Sequence, residues 1–138
     1  ANMIRRIARE LVLQSLFQID FAQVDSTAAL DAAIEERADK SAEKARAYAL
    51  DVLNGVLTNN EAIDTKISEY AIYWTLERMP AVDRNILRVA VYEMFFAPEK
   101  LVPNVAINEA VEIAKIYGTD DTPRFINGVL GKMVRSDV

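Results

Sequence analysis

Three arginines within five residues, Arg5, Arg6 and Arg9, precede Phe17 on one helical pattern near the start of a 138-residue chain. A guanidinium binds phosphate, and an aromatic ring stacks on an unpaired base at about 1–3 kcal/mol, so the combination suits single-stranded nucleic acid. "PRFINGVLGKM" offers a second pair, Arg124 and Phe125, at a helix start whose unbonded N–H groups also attract anions. Carboxylates are the other reactive groups. Glu109 and Glu112 share a helix face near Asp121, but no histidine or third helical carboxylate completes a two-metal pattern, and a solvated face is expected.

Much other chemistry is excluded by composition. With no histidine and no cysteine there is no Cys/His zinc site, no thiol nucleophile and no histidine acid–base catalysis. The four glycines, at 55, 118, 128 and 131, form no phosphate-cradling loop. No catalytic residue, metal or cofactor is expected, and the chain is not expected to be an enzyme. The lack of cysteine fits a cytoplasmic protein. No apolar run approaches the roughly 18 residues of a membrane span, and no secretory signal is seen. Hydrophobic residues at 51% and charged residues at 27% describe an ordinary folded domain.

The net charge of −5 is unevenly spread. Residues 1–19 carry +2, residues 20–77 carry −7, and residues 115–138 return to +1. A polyanion is therefore expected at the chain's ends and repelled by its middle.

The elements that must hold these residues are helical throughout. Ile4, Ile7, Ala8, Leu11, Val12, Ser15 and Ile19 fall on one arc at 3.6-residue periodicity. Arg6, Arg9, Glu10, Leu13, Phe17 and Phe21 fall opposite. Asp25-Ser26-Thr27 supplies N-caps for a short second helix, Ser41 caps a third, and Asn59-Asn60 break it from a fourth. A fifth helix runs from about 80 to 96, with Asp83 as a dipole-favourable acid in its first turn. Pro103 opens a sixth that stops at Gly118, and Thr122-Pro123 starts the last. Gly128 is expected to admit a neighbouring helix, with Asn127 as a buried clamp. The fold class is all-α, with about seven helices.

Two readings of the first helix stand at this point. Its arginines and Phe17 meet RNA, or Phe17 and Leu13 lie under another helix while the arginines pair with the acidic middle. Composition favours the second, since large apolar residues are mostly buried. Off the core arc, Arg6 and Arg9 are expected to tolerate alanine with less than about 0.5 kcal/mol of lost stability.

"RRIARELVLQSLFQIDF", "DRNILRVAVYEMFF", "VAINEAVEIAKIYGTDD" and "RFINGVLGKM" together resemble the NusB family of bacterial transcription antitermination factors. The set is specific although each motif is modest, and it covers nearly the whole chain, as one RNA-binding domain over 1–138. The resemblance implies two helical bundles packed together. It implies binding of the boxA element of ribosomal RNA leaders together with NusE, a small-subunit ribosomal protein, within the RNA polymerase antitermination complex. It carries RNA contact to Arg5, Arg6, Arg9 and Phe17, the last often tyrosine in the family, and to Asp121, Arg124 and Phe125. Asp83 sits where the family has an acid near the NusE side. Monomers or homodimers are implied, and a homodimer would bury the RNA face. With the resemblance, the RNA reading of the first helix takes precedence. The alternatives are the NusB-like domain of a ribosomal RNA methyltransferase, against which the chain's end after the last helix counts, and a helical interaction module without RNA affinity.

Overall fold

Helix starts follow the local capping chemistry. Asp25 accepts from the Ala28 amide at 3.3 Å and Asp39 from that of Ala42 at 3.1 Å, satisfying N–H groups that the first turn leaves unbonded. The third helix thus begins one cap earlier than Ser41. The computed structural model describes residues 3–136, so the outermost residues of the expected 1–138 unit lie outside it. Its regular structure is entirely helical: α1 Met3–Ala22, α2 Ser26–Arg37, α3 Lys40–Thr58, α4 Asn60–Tyr70, α5 Ala81–Val91, α6 Pro103–Tyr117 and α7 Thr122–Ser136. A π turn, Tyr92–Phe96, extends α5. The break at Asn59 falls where expected.

Helices α1, α2 and α3 form one bundle, α4 to α7 another, and α5 lies against both α1 and α3. Ala42, Ala45 and Ala49 on α3 are fully buried, and such small side chains let α1 approach closely. Gly55 serves the same end: a Cβ there would stand 2.1 Å from the Tyr92 ring, which would have to shift to admit it.

The single apolar arc expected on α1 is too narrow. Every residue from Ile7 to Leu13 is buried, Arg9 and Glu10 among them. The reason is topological: α2 and α3 cover one side of α1 and α5 covers another, so this helix runs through the middle of the molecule.

Candidate nucleic-acid interface

At the α1 end, charge is arranged as a ladder of ion pairs. Arg9, 5% exposed, donates to both oxygens of Glu93 at 2.8 and 3.1 Å, and its Nη1 reaches Glu109 at 3.3 Å. Arg6 forks onto the same Glu109 carboxylate at 2.6 and 2.7 Å while a quarter of its side chain stays exposed. Arg5 is exposed and lies with its guanidinium carbon 4.6 Å from the centre of the Tyr48 ring. The Tyr48 hydroxyl in turn donates to Glu93. Burial, and then the Glu93 hydrogen bond, push this phenol up to about 12, so it remains a proton donor near neutral pH. The Arg6 hydrogen bonds hold the Glu109 carboxyl below its ordinary 4.5.

This arrangement corrects three expectations. Arg9 is interior, Arg6 is only partly outward, and Glu109 is 4% exposed instead of lying on a solvated face. The physical cause is the cover that α5 gives to the second face of α1, with Glu93 and Glu109 reaching in from the π turn and α6. Buried charges survive there because each is paired, and no buried side-chain polar atom among the described residues lacks a hydrogen-bond partner. Arg6 and Arg9 do pair internally, with Glu93 and Glu109, which lie outside the acidic stretch 20–77.

Glu109 on α6 meets Arg6 near the start of α1. Phe17, one turn past Gln14, is half-buried and packs on the core. Beyond Tyr117 the chain turns at Gly118, where a Cβ would lie 2.5 Å from the Thr122 side chain. Glycine is needed there for space, since its φ of −97° is open to any residue.

Thr122 joins this turn to α5. Its hydroxyl accepts from the Thr119 amide at 3.0 Å and donates to Asp83 at 3.2 Å. Asp83 is 8% exposed, and burial raises its carboxyl above the ordinary 3.8, an effect that Thr122 opposes. Asp121 and Arg124 are exposed, while Phe125 is half-buried and edge-on to Trp74 with ring centres 6.4 Å apart. Together they border an open groove of ≈ 420 Å³, with Asp83 in its wall. A second hollow continues from Tyr73 and Trp74 along α7 to Lys132. Among the described residues no acidic cluster is placed to hold a metal, and no helix is long and apolar enough to cross a membrane.

The arrangement has known counterparts. The NusB family model matches residues 6–135, which take in Arg6, Arg9 and the α7 start. The chain belongs to the NusB family. A transcription antitermination protein NusB from Bdellovibrio bacteriovorus is 49% identical over 129 residues, 94% of this chain and 93% of that one. T. maritima NusB has the same fold at a TM-score of 0.82, with 39% identity across 95% of this chain and 90% of that one. A crystal structure of antitermination factors NusB and NusE in complex with dsRNA matches with a TM-score of 0.84 over 99% of each chain; at 24% identity that likeness is one of fold. The role named for the NusB relatives is transcription antitermination.

In this NusB-family chain two interior residues carry little sequence signal. Tyr48 looks like another position of an apolar stripe. Glu93 shows only as a charge inside "VAVYEMFF", an apolar run in which a carboxylate must find a buried partner. Gly128 and Asn127 were expected to face a neighbouring helix, and both are exposed. A Cβ at Gly128 would meet nothing within 4 Å, because α7 buries Thr122, Ile126, Val129, Leu130 and Met133 on its other side.

Proposed function

We propose that this chain is an antitermination factor that binds boxA-type RNA of ribosomal RNA leaders jointly with NusE, in the cytoplasm, as part of the RNA polymerase antitermination complex. The observation that carries the reading is a pair of arginine–aromatic clusters, at the starts of α1 and α7, in a chain of the NusB family. A fold neighbour crystallised with NusE and dsRNA supports the same partners. In this reading Arg5 and Arg6 meet phosphates at one end, while Arg124 and Phe125 meet phosphate and base at the other. Arg9 supports them from inside, Phe17 lies between, and Asp121 and Asp83 border the groove that receives RNA and NusE. A homodimer would compete for this face.

Neutralised by Glu109, Arg6 contributes little net charge, so RNA affinity of the chain alone should be weak. Fluorescence anisotropy with a boxA-type RNA, with and without NusE at fixed salt, tests this. NusE is expected to tighten binding more than tenfold, a coupling of about 1–3 kcal/mol. Equal affinities would count against it.

The internal pairing of Arg6 and Arg9 favours one competitor, a helical interaction module without RNA affinity. Repeating the titration at two salt concentrations separates them, since phosphate contacts make affinity fall steeply with salt and a protein-only module gives no RNA binding at either.

A further inference from the structure

The Arg5–Tyr48 contact lies at the edge of the core: Arg5 is exposed, while Tyr48 packs partly on the core and is held by its own second partner. Tyr48 rises from α3, half-buried, with the Arg5 guanidinium carbon 4.6 Å and that of Arg9 5.8 Å from its ring centre. Its hydroxyl is fixed to Glu93, itself 2% exposed and forked by Arg9. The ring therefore has a set height and tilt before any ligand arrives.

We propose that Tyr48 is a positioning residue for RNA, its ring holding the Arg5 guanidinium at the rim of α1 while Glu93 fixes the ring from beneath. The inference rests on the reading that the α1 start contacts RNA. An arginine side chain loses much rotamer freedom when it grips a phosphate, and stacking on a fixed ring removes part of that loss in advance. The stack engages the flat face of the guanidinium, whereas a phosphate is gripped by the in-plane N–H fork, so one side chain does both. Arg6 and Arg9 are oriented by carboxylates, Arg5 by a ring.

A double-mutant cycle on boxA-type RNA affinity in the presence of NusE tests this, using Arg5→Ala, Tyr48→Leu and the pair. Tyr48→Leu should weaken binding by the folded protein about two- to fivefold, the worth of an exposed cation–π contact. In the Arg5→Ala background it should change nothing further, and Tyr48→Phe, which keeps the ring but loses the hydroxyl that Glu93 holds, should weaken binding less than Tyr48→Leu. A merely structural Tyr48 would lower stability without coupling to Arg5. An equal loss in both backgrounds, or none in either, overturns the inference while leaving RNA binding intact. Absence of RNA binding by the unaltered chain with NusE overturns the functional reading as well. Should Tyr48→Leu not fold, the unaltered chain bound to RNA is examined by NMR. Upfield ring-current shifts of the Arg5 δ protons support the stack, and their absence overturns it.

Discussion

The start of α1 and the start of α7 both set arginine beside an aromatic ring, yet they are built in opposite ways. At α1, Arg9 and Arg6 are committed to Glu93 and Glu109 before any ligand arrives. At α7, Arg124 is exposed and forms no ion pair among the described residues, and Phe125 presents part of its ring beside Trp74. Charge counted along the sequence therefore overstates the α1 end and understates the α7 end. A helix start rich in arginine is a binding face only to the extent that neighbouring helices leave it uncovered.

The widest separation between the two regions should be in stability. Arg9→Ala strands Glu93 as a buried, uncompensated charge and should cost about 3–5 kcal/mol, whereas Arg124→Ala should stay within about 0.5 kcal/mol. Urea melts of the two variants give both numbers, and similar losses would erase the distinction.

Acid should act through the same ladder. With its native pKa held below the ordinary 4.5, Glu109 contributes stability that is whole above that pH and is lost as pH falls through the lower native value. Asp83 works in the opposite sense, because its raised pKa makes protonation relieve a buried charge. Urea melts from neutral pH down to about 3 should therefore show Glu109→Gln losing less stability on acidification than the parent chain. An equal loss would mean that the ladder does not set the acid limit.

At the α7 end the expected effect is on RNA. Phe125→Ala should weaken boxA-type RNA binding by about 1–3 kcal/mol while leaving the slope of log affinity against log salt unchanged, since a neutral ring releases no counterion. A flattened slope would assign the loss to a displaced Arg124 instead. The smallest effect belongs to Gly128→Ala. With open space at the Cβ and an interior helical position, it should stabilise the fold by about 0.5–1 kcal/mol. A drop in stability would show a packing constraint at this position.

What was legible in the sequence was local. Asp25, Asn59, Pro103 and Gly118 each act within a few residues of themselves, and the helices end or begin where those residues stand. The side chains of α1 were not legible, because their partners arrive from the π turn and α6, where Glu93 and Glu109 lie 84 and 103 positions away from Arg9 and Arg6. Periodicity assigns one buried face to a helix; it has no means of announcing a second. Of the site itself, the motifs at residues 4–9 and 124–125 were visible as chemistry. That Asp83 stands in the wall of the same groove as Asp121, Arg124 and Phe125 was not, since it depends on the Thr122 hydrogen bond between α5 and α7.

The most direct test of the central claim, that the two helix starts form one RNA surface, is amide chemical-shift mapping of the chain with NusE as boxA-type RNA is added. The account predicts shifts concentrated at residues 3–6 and 118–125, with α2 and the outer face of α3 silent. Shifts confined to α2, α3 and α4, with both helix starts unmoved, would contradict it.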